Sequence, residues 1–249
     1  MILFKQQLFP NQFFFIGIEK EYNQFQSVLK ILKNKLENNV HFLWGLSKDF
    51  GASGFRIGIL YSQNKILLQA LANLNIFSGV SHPMQMIVAE ILTDDQFVDA
   101  FLEDARRQLN WSYTICTTKL DEMVVPYTSA EAGLFVYVDF SSFLPEQTWL
   151  GEMRFAALVQ DIARVVMTPG RSHCDSRPGM FRLCYTWVTP DVLEIAMERL
   201  SFLILQLRRN SWDDLDPEIF TDIMKSSIKT MRRTASINLV DLTSSRDNL

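Results

Sequence analysis

Apolar positions change their spacing several times along the chain, and each change marks an element. Over residues 1–23, Phe and Leu mix with Gln and Asn in neither a two-fold nor a 3.6-fold period, and Phe13, Phe14 and Phe15 cluster without a face. This stretch reads as a leader foreign to the rest of the chain. From Phe25 the order becomes regular: Val28, Leu29, Ile31, Leu32 and Leu36 predict a helix, and VHFLWGLS (40–47) predicts a buried strand. A glycine-rich turn leads to a second short strand, FRIGILYS (55–62). Helical spacing returns over residues 65–77 and over roughly 84–110, the latter long and starting just after Pro83. MVVPYTS, GLFVYVDF and FRLCYTWV predict three more strands, with helices near 149–164 and 190–208. From RRNSWDDLDP onward, Ile219, Phe220, Ile223, Met224, Ile228 and Met231 fall on one helical stripe, which more often packs a core than binds a partner. The boundaries are therefore a leader (1–23), a first segment (24–105), a compact α+β segment (106–208) and a tail (209–249). No internal repeat is present.

Composition adds bounds. With 249 residues, 48% hydrophobic and 21% charged, the chain can bury a sizeable core in one or two domains. Its formal net charge is −4 and no segment concentrates basic residues, so nucleic acid is not an expected partner. Cys116, Cys174 and Cys184 lack metal-ligand or redox spacing and fit free thiols in a reducing compartment, which makes the cytoplasm the expected location. Gln6, Gln7, Asn11 and Gln12 break the apolar runs of the leader well short of a secretory or membrane-spanning length, so no membrane association is expected.

Candidate chemistry concentrates in WGLSKDFGASGFRIG (44–58), where Lys48 stands eight positions before Arg56 among three glycines at 51, 54 and 58. A lysine at the end of a buried strand would be held rigidly and partly desolvated, which favours the neutral amine that condenses with an aldehyde. Arg56 would offer a planar, permanently charged fork to a phosphate. Together they bracket a phosphorylated aldehyde. The alternative is a solvated Lys48, an Arg56 paired with a carboxylate, and glycines that merely make a hairpin. Elsewhere the signals are weaker. His41, His82 and His173 are widely separated, HCD (173–175) matches neither metal-ligand spacing nor a nucleophile–base pair, and no metal is expected. Asp94 and Asp95 in LTDDQF suit the start of a helix better than acid–base work. RRTAS around Ser236 offers arginines before hydroxyls, as a basophilic kinase would use, but so short a motif is non-specific and a solvated tail is the expected reading.

GLSKDFGASGFRIGILYSQN (45–64) resembles the segment around the cofactor lysine of class I/II aminotransferases, enzymes that use pyridoxal 5'-phosphate (PLP) and have fold type I. It is most similar to the 1-aminocyclopropane-1-carboxylate synthase-like branch. AGLFVYVDFSSFL (132–144) resembles a small-domain strand of the family, and TPGRSHCDSRPGMFRLCYTWV (168–188) the segment with its substrate-carboxylate arginine, so the resemblance covers roughly residues 24–205. By this resemblance Lys48 is the catalytic, cofactor-bearing lysine, Arg56 binds the cofactor phosphate, and Arg182 clamps an amino-acid α-carboxylate. Three residues before the lysine, where many relatives carry a phosphate-binding hydroxyl, this chain has Gly45, which leaves Ser47 as the nearby donor.

The phosphate loop, the ring-stacking aromatic and the Asn and Asp that contact the ring in these enzymes find no counterpart before Lys48. The expected fold is therefore α/β: an incomplete PLP-dependent transferase fold, with the end of the large-domain sheet and the interdomain helix in 24–105 and an α+β C-terminal small domain in 106–208. The resemblance implies action on an amino acid at Cα, by transamination or by 1-aminocyclopropane-1-carboxylate synthase-like elimination. The alternative is a truncated, inactive remnant that serves as an interaction module. Expected partners are an amino-acid substrate and a second copy or a full-length relative.

Overall fold

All strand pairing among the described residues is antiparallel, in two separate sheets of two and four strands. The structure is a computed structural model that describes residues 27–74, 79–130, 132–209 and 212. The leader, the tail stripe from Ile219 to Met231 and Ser236 lie outside the described residues, as does the end of the helix expected over 65–77. The described residues through Gln108, with Ala132 and Gly133, form one compact unit; Leu109–Ala130 and those from Leu134 onward form a second.

In the first unit, α1 (Val28–Ile31) is a single turn, capped by the Ser27 hydroxyl, which accepts from the Leu29 amide at 3.3 Å. The expected helix running on to Leu36 is thus cut short, and the backbone turns left-handed at Lys33, Asn34 and Glu37. Leu36 is nonetheless buried. Strand β1 (His41–Gly45) ends where the one-turn helix α2 (Leu46–Asp49) begins, and β2 (Gly58–Ser62) returns beside it with His41 opposite Ser62 and Gly45 opposite Gly58. The hairpin is tight at its closed end: a Cβ on Gly45 would stand 3.1 Å from the Ile57 carbonyl oxygen.

The expectation that β1 is buried is not met. Leu43 is 76% exposed: a two-stranded sheet gives each strand one neighbour, and the cluster of Leu46, Ile57 and Val88 lies at the loop side of the hairpin. Helices α3 (Lys65–Leu74), α4 (His82–Thr93) and α5 (Asp95–Glu122) come next in the chain. Where one long helix is expected from Pro83, the backbone breaks at Asp94, whose carboxylate accepts from the Phe97 amide at 2.9 Å and starts α5. The pair Asp94–Asp95 is therefore a helix start, as its sequence suggests.

In the second unit, β3 (Tyr127–Thr128), β4 (Phe135–Asp139), β5 (Thr168–Pro169) and β6 (Met180–Cys184) form a sheet in the order β3-β4-β6-β5. Strict alternation buries Val136, Val138, Phe181 and Leu183 on one face, while Phe135, Tyr137 and Arg182 remain partly open on the other. Helix α6 (Trp149–Leu158) is capped by Thr148, which accepts from the Gly151 amide at 3.0 Å, and runs on into a wider π-helical turn, Val159–Ala163. Helix α7 (Pro190–Arg209) contributes Leu193, Met197, Leu200, Leu203 and Ile204 to the core. Phe140, Phe155 and Phe181 pack with ring centroids 5.3–5.8 Å apart, a geometry that adds about 0.5–1.5 kcal/mol per aromatic pair beyond area burial. Residues 109–209 thus hold an apolar centre of their own.

Candidate functional site

Local folding decides what the Lys48 loop presents. In the single turn of α2, positions three apart share a face, so Leu46 and Asp49 turn inward while Ser47 is half-buried and Lys48 exposed. This corrects the expectation of a partly desolvated lysine, since the buried side chain is its neighbour. Asp49 accepts a 2.6 Å hydrogen bond from the Trp44 indole N–H, which ties α2 back to β1. Burial raises the Asp49 carboxyl above its ordinary value, and the bond from Trp44 offsets part of that rise. Asp49 is engaged as a brace.

Arg56 closes the other side of the loop in a left-handed conformation at φ 54° and donates from Nη1 to the Ser53 carbonyl oxygen at 3.3 Å. Its side chain is exposed, and among the described residues no carboxylate forms an ion pair with it. Lys48 follows the Gly45–Gly58 pair by three residues and Arg56 precedes it by two, so both cations leave the same closed end of one hairpin. A primary amine, a hydroxyl and a guanidinium in that arrangement form a donor set that fits a phosphorylated aldehyde.

Arg182 belongs to the second unit and is held from both sides of its strand. Tyr137 lies directly opposite on β4 and Thr168 directly opposite on β5. The guanidinium carbon stacks 4.4 Å from the centre of the Phe135 ring, and Nη2 lies 3.5 Å from the Thr168 hydroxyl. No carboxylate among the described residues pairs with it, although Arg177 nearby in sequence is bonded to Asp139 at 2.7 Å. Tyr137 donates its hydroxyl hydrogen to Asp175, the acid of the HCD run; burial and that carboxylate push the Tyr137 hydroxyl up to about 12.

One supporting residue was missed from sequence. Glu152, fully buried in α6, accepts from the Arg171 amide at 3.1 Å and the Gly179 amide at 2.8 Å, tying both ends of the loop that leads into β6. Gly179 is required there, since at φ 100° a Cβ would stand 2.5 Å from Ser141 Cα. The signal was a carboxylate on an otherwise apolar stripe, Glu152, Phe155 and Val159.

Of the other candidates, His41 Nδ1 lies 2.8 Å from the Ser62 hydroxyl, and among the described residues no group of three or more His, Cys, Asp or Glu side chains could hold a metal ion. The three cysteines are free thiols. No helix of the described residues is long and apolar enough to cross a membrane.

The sequence profile of "Aminotransferase class I and II" matches residues 14–200. The chain belongs to that family. Its members depend on pyridoxal 5'-phosphate, so the donor set of the Lys48 loop and the cofactor of the family agree. Among curated relatives, 1-aminocyclopropane-1-carboxylate synthase-like protein 1 of Arabidopsis thaliana is 34% identical over 75% of this chain, and a 1-aminocyclopropane-1-carboxylate synthase of Glycine max is 33% identical over 73%. The chain spans 39% of the length of each of these relatives. Among solved structures, an aspartate aminotransferase of Thermus thermophilus aligns with a TM-score of 0.65 at 21% identity, over 78% of this chain and 46% of that one. An aromatic aminotransferase of Pyrococcus horikoshii aligns at 0.60 and 21% identity, over 68% and 43%. These likenesses show the fold: part of the PLP-dependent fold type I, as the resemblance implied.

Proposed function

We propose that the chain carries the cofactor-holding lysine and the carboxylate-binding arginine of a PLP-dependent enzyme that acts on an amino acid at Cα, by transamination or by 1-aminocyclopropane-1-carboxylate synthase-like elimination. The observation that carries this reading is a pair of arginine forks, Arg56 and Arg182, that no carboxylate among the described residues neutralises, each on a motif of the family. In this reading Lys48 supplies the amine that holds the cofactor, and Ser47 and Arg56 hold its phosphate by a hydroxyl and a charge-assisted contact. When bound, PLP supplies an electron sink for the charge that develops at Cα. Lys48, as an amine beside the cofactor, would be the base that takes the Cα proton of the substrate. Arg182 fixes the α-carboxylate through two parallel N–H donors, a geometry that lysine does not reproduce. The relatives' names favour the elimination branch.

A second reading, a non-catalytic module that pairs with another copy or with a full-length relative, is favoured by one observation. The loop bearing Lys48 and the hairpin beneath it are open, with Leu43 76% exposed. Visible absorbance separates the two. PLP added to the full chain should produce a band that borohydride abolishes. Lys48→Ala should remove the covalent adduct, and Arg56→Ala should weaken cofactor affinity by about tenfold while leaving the amine in place. An unchanged spectrum in Lys48→Ala would overturn the assignment.

A further inference from the structure

Arg182 is held by neighbours on both adjacent strands. On the open face of the second-unit sheet its strand partners are Tyr137 and Thr168, and Phe135 lies diagonally across from it on β4, two residues from the direct partner. Diagonal neighbours on one face of an antiparallel pair stand within reach of aromatic and long side chains, and here the reach is used: the Arg182 guanidinium lies 4.4 Å from the Phe135 ring centre. Thr168, on the opposite neighbouring strand, accepts at the limit of hydrogen-bond distance from Nη2 at 3.5 Å. The guanidinium carbon therefore sits over the Phe135 ring, and one donor of the fork reaches Thr168. Its remaining N–H groups meet no carboxylate among the described residues.

We infer that Phe135 and Thr168 are positioning residues for carboxylate recognition, with Phe135 holding the plane of the Arg182 fork and Thr168 its rotation within that plane. This rests on the reading of Arg182 as the carboxylate receptor. An arginine side chain has four rotatable bonds and loses their freedom when it binds an anion; a ring already stacked on the fork removes much of that cost before the carboxylate arrives. The stack also lowers local solvation of the cation, which strengthens its bond to an anion. The ring itself touches no substrate atom in this scheme. Its effect passes through Arg182.

The test uses the full chain, with acetate and L-alanine as probes, acetamide as the uncharged control, and arginine side-chain N–H resonances as the readout. Arg182→Lys should lose about tenfold or more of the carboxylate affinity, which tests the underlying reading. Phe135→Leu, which keeps apolar bulk and loses the ring face, should weaken both carboxylates about 3- to 10-fold, and Phe135→Trp should restore them. In the parent, rotation about the Arg182 Nε–Cζ bond should be slow enough to separate its terminal N–H signals, and in Phe135→Leu those signals should merge. Thr168→Val, a milder change, should cost about twofold. Parent affinity and separated signals in Phe135→Leu, with Arg182→Lys still impaired, would overturn the inference and leave the receptor standing. Equal affinity in Arg182→Lys and the parent would overturn both. If Phe135→Leu does not fold, Thr168→Val and Phe135→Trp carry the test: no loss in the first together with a loss in the second would overturn the inference.

Discussion

The Lys48 hairpin and the Arg182 sheet carry equally recognisable motifs, yet they are built to different degrees. Around Arg182, four strands bury one face, where Phe155 of α6 packs on Phe181, and the open face keeps its arginine against Phe135, its tyrosine bonded and its leading loop tied by Glu152. Around Lys48, two strands support a loop whose buried anchor is the Trp44–Asp49 hydrogen bond, while Lys48, Arg56 and Leu43 are exposed. A motif therefore records which chemical groups are available at a site. How firmly they are held depends on how much apolar surface the surrounding elements bury, and that differs between the two regions.

The largest expected contrast comes from truncating one apolar side chain in each region. Phe181→Ala removes a fully buried ring that packs against Phe140 and Phe155, and should destabilise the second unit by about 3–5 kcal/mol in denaturant unfolding. Leu43→Ala, on a residue 76% exposed, should stay within about 0.5 kcal/mol. Comparable losses would mean that the hairpin face is covered in solution. A smaller contrast is in pH dependence. The Tyr137 hydroxyl is pushed up to about 12 by burial and by Asp175, so its protonated form is favoured in the folded state. That contribution is fully present below the ordinary tyrosine value of about 10 and is lost as pH rises from there through the raised value. The stability difference between the parent and Tyr137→Phe should therefore shrink as pH rises from about 10 to about 12. A constant difference over that range would show that the Tyr137–Asp175 bond does not couple to folding.

Legibility in the sequence tracks the same divide. FRLCYTWV alternates around Arg182 as a half-buried strand should, and β6 follows it as far as Cys184, whereas GLFVYVDF is a continuous apolar run whose buried positions, Val136 and Val138, emerge only from the fold. VHFLWGLS reads as a strand and is one, but its nearly continuous apolar run suggests burial on both sides that the two-stranded hairpin does not provide. Lys48 was expected at a strand end; the one-turn helix starting at Leu46 reverses which neighbour is buried, and four residues are too few to show a helical period. The break at Asp94 was half visible, since the acidic pair signals a helix start while the apolar spacing runs through it. Glu152 could not be matched to its partners, because they are backbone amides 19 and 27 residues away and backbone groups leave no mark in composition. Phe135 was part of a quoted motif, but its stacking on Arg182 depends on a strand register that only the fold supplies.

The most direct test of this account is amide hydrogen exchange on the full chain, with and without PLP, comparing Leu43, Trp44, Ile59 and Leu60 of the hairpin with Val136, Val138, Phe181 and Leu183 of the sheet. Without cofactor the hairpin amides should exchange about 100-fold faster or more than those of the sheet, since exchange tracks the free energy of local opening. With cofactor the hairpin should gain protection, and Lys48→Ala should abolish that gain while the sheet stays unchanged. Uniform protection of both regions without cofactor, or a hairpin that does not respond to PLP, would contradict the account.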